Sequence, residues 1–490
     1  MTHVAVVGGG ITGLAAARRL AQAGAEVTLL EQSARWGGKL DRTVFGASGS
    51  GDVGLDTGAE SVLARRPEAV ALVAELGLTG QQVHPTAAKP QLLVGGRYVA
   101  MPPSLQGIPV DVPALSSLLS AAGLAYAAGE PDRPAPPLAA DVPIGAYVDE
   151  RFGPEVTDRL LEPLLGGVYA GRARDLSFAA VTPDLYARAR TGGSLLAHAR
   201  AGLRPGPATP VFAGLVGGVT GLVDALVADL DRRGVVRRSG STVHGLAPLP
   251  DGRWRLWCRA GSTSAATEVD AVVLALPAAP AGRLLIGLIY SAEAYESIPY
   301  ASVAVVTLVV RGLRTGSSGL LVPPGELPTI KALTHSSVKW DWVRQQAERT
   351  WGSDVAVVRT SVGRIGEAAL LQVDDPTLVR RTFVEAQSLP GWENVGLVDA
   401  RVTRWGGALP QYAVGHRELV ASLRAELAEL PGLAVAGAAL DGVGVAACLG
   451  SADVAATKII VDLGLPEQDQ QLLDHDHQLN EHGQLEGSNR

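Results

Sequence analysis

Residues 3–13, His3-Val4-Ala5-Val6-Val7-Gly8-Gly9-Gly10-Ile11-Thr12-Gly13, join an apolar run of strand length to a Gly-x-Gly-x-x-Gly turn and the start of a helix. The helix is predicted over residues 11–23, with Ile11, Leu14, Ala15 and Leu20 on one face, and residues 26–30 read as a second strand. This is a βαβ opening. At a dinucleotide each part has a physical task. Gly8 makes the tight turn, Gly10 lets backbone approach a pyrophosphate, Gly13 permits close packing of helix on strand, and the helix N-terminus attracts phosphate charge. Glu31 ends the second strand 18 residues after Gly13, placed to accept hydrogen bonds from the adenosine ribose hydroxyls. Gly8, Gly9, Gly10, Ile11, Thr12, Gly13, Glu31 and Gln32 are the first cofactor-binding candidates.

The rest of the chain bounds what such a domain serves. Its 490 residues allow a large core and two or three lobes. The net charge is −7 with 19% charged residues, where about 25% is usual. Residues 466–490 hold six acids and one base, so residues 1–465 carry only −2. A body this close to neutral lacks the basic surface of a nucleic-acid binder. Cys258 and Cys448 are too few and too isolated for a disulfide framework or a zinc site, and read as small buried residues in a reducing cytoplasm. No basic region precedes the first strand, so no export signal is expected. No stretch reaches the ~18 apolar residues of a membrane helix. Peripheral membrane association and oligomeric state stay open.

Along the chain, residues 68–76 read as a helix ended by Gly77, and 129–137 as an exposed loop. Residues 144–165 return to helical spacing, and 217–231 look like a turn feeding a helix. Three strands are predicted at 242–246, 253–259 and 269–276, and a β-rich second domain around 301–310 and 355–362. Residues 396–404, 418–429 and 433–436 come back to strand, helix, strand. After Gly464 almost no core-forming residues remain, and disorder is expected. His475, His477 and His482 in that tail read as solvated, and no metal site is assigned.

Arg35-Trp36-Gly37-Gly38-Lys39 follows the acid directly and resembles the second signature of the FAD-dependent amine oxidase and phytoene desaturase superfamily. Leu55-Asp56-Thr57-Gly58-Ala59-Glu60-Ser61 resembles the run beside the flavin in the protoporphyrinogen and coproporphyrinogen oxidase family. Glu162-Pro163-Leu164-Leu165-Gly166-Gly167-Val168-Tyr169-Ala170-Gly171, followed by Leu176-Ser177, is similar to that family's most characteristic internal motif. The run PVFAGLVGGVTGL at 210–222, Lys339-Trp340, Arg404-Trp405 with Ala408-Leu409-Pro410-Gln411-Tyr412 and Gly415-His416, and residues 437–445 follow in the family's order. The resemblance covers about residues 3–465. Leu105-Gln106-Gly107-Ile108-Pro109 looks like the version in Gram-positive-type bacterial enzymes, which act on coproporphyrinogen III, where animal and plant enzymes use protoporphyrinogen IX. Arg172 departs from the family, which commonly has Asp there.

The resemblance implies an amine-oxidase-like fold: an α/β FAD-binding Rossmann-like domain with an inserted mixed-sheet substrate domain and a mainly helical subdomain. The FAD-binding domain is expected at 1–95, 210–285 and 396–465, the helical substrate-side subdomain at 96–209, the β-rich substrate domain at 286–395, and an acidic tail at 466–490. Carried over onto this chain, Gly38, Lys39, Gly58, Ala59, Glu60, Ser61, Val243, Trp405, Gly437, Val443, Gly444 and Val445 join the FAD set. Val243 would hold adenine through its backbone or be plain strand packing. Trp405 would lie near the isoalloxazine or be a core tryptophan, and Lys39 would meet the cofactor or be merely exposed. Gln106, Gly167, Tyr169 and Arg172 are the substrate-side candidates, Tyr169 competing with a buried tyrosine whose hydroxyl is satisfied, and Arg172 with a surface arginine. Arg65, Arg66, Arg97 and Arg172 are the candidate cations for substrate carboxylates.

The implied chemistry is a six-electron oxidation of a porphyrinogen to a porphyrin in haem biosynthesis, by dioxygen with release of hydrogen peroxide. The flavin carries the hydride step and no side chain is assigned as catalytic. Among alternatives, protoporphyrinogen IX is the other substrate. A flavin amine oxidase shares the two N-terminal motifs but not 166–171, a carotenoid desaturase lacks the 405–412 segment, and Rab GDP-dissociation inhibitors reuse the fold as binders.

Overall fold

His3–Val7 is buried from Val4 onward and pairs in parallel on both sides, with Glu26–Leu30 and with Ala271–Leu274. A strand covered on both faces has no use for alternation, which is why its apolar run is continuous. Val236–Arg238 and Leu433–Val435 complete a five-stranded parallel sheet at its two edges. The computed structural model describes residues 2–46, 52–203 and 210–466, so the tail and its three histidines lie outside the described residues.

One face of this sheet packs through Val4, Val6, Leu29 and Val273 on the helices Ile11–Gln22, Gly221–Arg232 and Val445–Asp462. The other packs through Ala5, Val7, Val272 and Leu274 on the helices Ala278–Leu285 and His416–Ala428 and on an antiparallel meander, Ser241–Pro248, Trp254–Ala260 and Thr263–Val269. The strand predicted at 269–276 is two strands. Val269 ends the meander and Ala271–Leu274 enters the parallel sheet, the switch being fixed at Asp270, whose carboxylate accepts from the His3 N–H at 2.7 Å.

A seven-stranded mixed sheet forms the second lobe, in the order Gly396–Pro410, Tyr300–Arg311, Val355–Val362, Ile330–His335, Gly319–Leu321, Pro90–Val94, Arg97–Ala100. Its one parallel pairing joins Gly319–Leu321 to Pro90–Val94. Residues 90–94 and 396–410, assigned from sequence to FAD-binding segments, therefore pair in the substrate-side sheet. The last of these strands is 15 residues long and reaches from that sheet back to the parallel-sheet domain.

The helical subdomain includes Ala121–Ala128, Ile144–Phe152, Glu162–Tyr169, Pro183–Ala189 and Leu195–Gly202. The helix predicted over 144–165 is broken at Gly153, whose φ of +90° no helix accepts and which precedes Pro154. The arrangement is the Rossmann-like α/β domain with mixed-sheet and helical insertions expected from sequence. Among the described residues no helix is long and apolar enough to cross a membrane.

Candidate functional site

The glycine turn is closed around its own backbone. Gly8 has φ +111°, and a Cβ there would lie 2.2 Å from Ala275 O. A Cβ on Gly13 would lie 1.8 Å from Gly8 O, so helix and strand meet at a distance only glycine permits. Gly10 differs: the nearest atom to a Cβ there is Gly38 Cα at 3.9 Å. The Arg35–Lys39 loop lies against it, with the Gly37 N–H donating to Gly9 O at 2.8 Å. Glu31 is fixed at its strand end, its carboxylate accepting from the Gly9 N–H at 2.6 Å and the Ser33 N–H at 2.7 Å. Gln32 is exposed beside it. Two residues past the contact of the Ser241 N–H with Glu31 O, half-buried Val243 sits at a bulge in the outer strand of the meander.

Two helices begin here without side-chain caps. Ile11–Gln22 starts at Gly10 and Val445–Asp462 at Gly444, and neither has an acid in its first turn. Their first turns pack in one apolar cluster, which holds Ile11, Val445 and Cys448, a buried free thiol that desolvation pushes up. Free N–H groups at two adjoining helix starts form an anion-binding cradle. Gly437 and Val443 lie on the approach to the second helix, Gly437 with φ +134° and its N–H on Ser451 Oγ at 3.0 Å. These observations fit a dinucleotide: an open backbone over Gly10, two uncapped helix starts and an acid at the ribose position.

Beyond the cradle the chain is drawn together by charge. A Cβ on Gly58 would lie 1.9 Å from Lys39 O, and Trp405 Nε1 donates to Thr57 O at 3.0 Å. Ala59 and Ser61 flank Glu60, whose carboxylate lies 2.6 Å from Lys339 Nζ and 2.7 Å from Arg359 Nη1, while Arg359 also donates to Gly58 O. Burial alone would raise the Glu60 carboxyl, but Lys339 and Arg359 overcome it and hold it at about 2. The Glu60 side chain is thus committed to Arg359 of the seven-stranded sheet and to Lys339 of the short helix Ser336–Lys339. Lys39 is exposed as a residue, but its ammonium donates to Ala408 O and lies over Tyr300. Sequence reasoning missed Asp56, which clamps the next crossing: its carboxylate accepts from the Val219 N–H at 2.7 Å and the Thr220 hydroxyl at 2.6 Å. An acid closing the strand Asp52–Asp56 directly after Leu55 was the available signal.

On the far side stands the helix Glu162–Tyr169. Tyr169 is buried edge-on to Tyr412, ring centroids 5.5 Å apart, and Tyr412 stacks on His416 at 4.1 Å. Gln411 Nε2 donates to Tyr169 O at 2.8 Å. Gly167 is exposed and faces Leu321. Gln106, exposed at φ +52° in the turn of a small hairpin, is brought to the same helix because Gly107 packs on Leu161 and Leu164. Val443 belongs to the same apolar cluster as Tyr169, Leu164 and Leu321, so the second helix start packs with this wall. Arg172 is not a free cation there, since it pairs with Glu367 at 2.7 Å. Arg66 pairs with Glu68, and Arg65 and Arg97 are exposed. Among the described residues no metal-ligating cluster is present.

The family model for flavin containing amine oxidoreductases matches residues 11–460. The chain is 39% identical to coproporphyrinogen III oxidase of Mycobacterium tuberculosis, over 93% of this chain and 96% of that one. It is 31% identical to human protoporphyrinogen oxidase, over 93% of this chain and 98% of that one. A crystal structure from Exiguobacterium sp. 255-15, described as a candidate protoporphyrinogen oxidase, superposes with a TM-score of 0.79 at 28% identity, covering 94% of this chain and 99% of that one.

Proposed function

The chain belongs to the flavin containing amine oxidoreductase family, and from that premise we propose that it is an FAD-dependent coproporphyrinogen III oxidase of haem biosynthesis. The observation that carries the reading is the likeness to a coproporphyrinogen III oxidase, which spans nearly the whole chain at higher identity than the likeness to protoporphyrinogen oxidases. The overall conversion removes six electrons and six protons from the macrocycle in three rounds, and three dioxygen molecules become three hydrogen peroxide. Bound FAD would supply the hydride acceptance and the delivery of electrons to dioxygen.

The chain's own residues bind and orient. Backbone at Gly9–Gly13 would take the pyrophosphate, with Lys39 close by, Glu31 the ribose hydroxyls and Val243 the adenine. The Gly58–Ser61 backbone, Trp405 and the N–H groups at Val443–Val445 would frame the flavin ring. Gly167 and Tyr169, with the Gln106 turn, would form the opposite wall, so that the macrocycle enters between them and the ring. Burial pushes Tyr169 up to about 12, so it keeps its proton and serves as a donor and a wall, not a base. Imine–enamine tautomerisation moves protons between rounds, and no side chain is assigned as a strong base. A cytoplasmic location belongs to the same reading, supported by two free thiols, Cys258 and Cys448.

Purified protein is expected to be yellow and to release FAD on denaturation. In an anaerobically started assay it should oxidise coproporphyrinogen III roughly tenfold faster than protoporphyrinogen IX, with hydrogen peroxide formed. Equal or reversed rates would move the assignment to protoporphyrinogen IX. Colourless protein that takes up no FAD would favour a non-catalytic binder.

A further inference from the structure

Behind the helix Glu162–Tyr169 the seven-stranded sheet carries charge that neither the cofactor cradle nor the Glu60 cluster uses. Lys331 is the extra residue of a β-bulge: Ile330 pairs with Val362 and Ala332 with Ser361, and Lys331 is left out of the ladder. A bulge re-aims one side chain against the strand's alternation. Ile330 and Leu333 enter the apolar core with Leu378 and Ala386 of the helix Asp375–Gln387. The Lys331 ammonium instead reaches the helix Glu162–Tyr169, where its hydrogen bond to Gly166 O is long, at 3.5 Å. Only 4% of the residue is exposed.

Arg364 comes in beside it, 8% exposed. Its Nη2 donates to Val322 O at 3.1 Å, and its Nε has no partner among the described residues. Anions to match are few. Glu367 is 2.7 Å from Arg172 but 4.0 Å from Arg364. Glu162 gives one oxygen to the Ala173 N–H at 2.6 Å, leaves Oε1 unpaired, and is pushed up toward its neutral form by burial. Desolvation, reinforced by Arg364, pushes Lys331 down to about 7, and desolvation also lowers Arg364. Buried donors short of an anion are costly unless something brings one.

The cluster lies one residue from the substrate-side wall. A Cβ on Gly166 would be 3.7 Å from Arg364 Nε, and Gly167 faces Leu321, whose ladder partner is Ala332, the residue after Lys331. Two consecutive glycines leave the helix without side chains where it separates the cations from the cleft. We propose that Lys331 and Arg364 form a carboxylate-binding subsite at the inner end of the substrate cleft, taking one propionate arm of the macrocycle across Gly166-Gly167. An ammonium beside a planar guanidinium with an unused N–H is the donor set a carboxylate satisfies. The assignment rests on the porphyrinogen reading above, and it replaces Arg172, whose charge Glu367 already meets.

The test uses the flavin-loaded protein and two probes of one shape, coproporphyrin III and its uncharged tetramethyl ester, titrated by porphyrin fluorescence quenching. Lys331→Met is expected to weaken binding of the acid by about tenfold or more and to leave ester binding within about twofold. The KM for coproporphyrinogen III should rise more than kcat falls, and Lys331→Arg should restore part of the loss. If Lys331→Met fails to hold flavin, Arg364→Gln goes through the same pair of titrations. Acid and ester weakened alike, or neither weakened, overturns the subsite. Wild-type protein that oxidises coproporphyrinogen III together with that result removes the subsite alone, whereas wild-type protein that oxidises neither porphyrinogen removes the parent reading and the subsite with it.

Discussion

Gly13→Ala is expected to give colourless protein destabilised by about 3 kcal/mol or more, because its methyl would lie 1.8 Å from Gly8 O and must force the first helix off the central strand. Gly10→Ala separates cofactor binding from folding. No described residue beyond its chain neighbours comes within 3.9 Å of a Cβ there, and the residue already has φ −73° and ψ 176°, which alanine adopts freely. The cost to the fold is then only that of an alanine at a helix cap, up to about 1 kcal/mol. The methyl does, however, occupy the space through which backbone approaches a pyrophosphate. Stripped of flavin, Gly10→Ala should therefore melt within about 1–2 °C of flavin-free wild type, and as purified it should still lack most of its flavin. Flavin-to-protein absorbance ratios and thermal midpoints measured side by side check this. Wild-type flavin content in Gly10→Ala would remove the dinucleotide reading of the turn.

The second large effect is expected at Glu60. Its carboxylate stands between Lys339 and Arg359, and Glu60→Gln leaves two half-buried cations without their counter-charge, a loss of about 2–3 kcal/mol, below that of a fully buried pair. Acid should produce part of the same loss. The folded-state carboxyl is held at about 2, below its ordinary value of 4.5. A group depressed in the folded state adds stability above its unfolded value and loses it as pH falls through the folded one. The contribution is therefore complete above pH 4.5 and disappears between about pH 4.5 and 2, amounting to roughly 3 kcal/mol. Denaturant unfolding of wild type and Glu60→Gln should differ widely at pH 7 and converge as pH is lowered toward 2. Equal stability at pH 7 would mean that the ion pairs contribute nothing net across this interface. Flavin retention should fall with stability, because Arg359 ties the Gly58 carbonyl to the same sheet.

The parallel-sheet opening was legible in residues 3–31 because a strand buried on both faces must be continuously apolar and a pyrophosphate turn must be glycine. Both requirements are local. What escaped depends on partners far away in the chain. Pro90–Val94 reads as an ordinary strand, and only its pairing with Gly319–Leu321 assigns it to the substrate-side sheet. Glu60 looks like one more cofactor-side residue until Lys339 and Arg359, 279 and 299 positions later, close on it. Lys331 sits in the run Ile330–His335, where a single lysine in an apolar strand suggests an exposed edge. The bulge that turns it inward is a property of the ladder and leaves no mark in composition. Tyr169 and the Gln106 turn were found by resemblance, and their meeting on one helix required the packing of Gly107 against Leu161.

The parallel sheet draws its strands from both ends of the chain, and its first helix packs on the helix Val445–Asp462. A ribosome making this protein thus releases the glycine turn 432 positions, counted from Gly13 to Val445, ahead of the helix that adjoins it. For most of synthesis the nascent chain holds an apolar strand with an unfilled edge, the kind of surface chaperones recognise. Cofactor insertion consequently waits for residues 445–462. A message truncated ahead of that helix would encode every glycine of the turn and still yield protein with nowhere to keep a flavin.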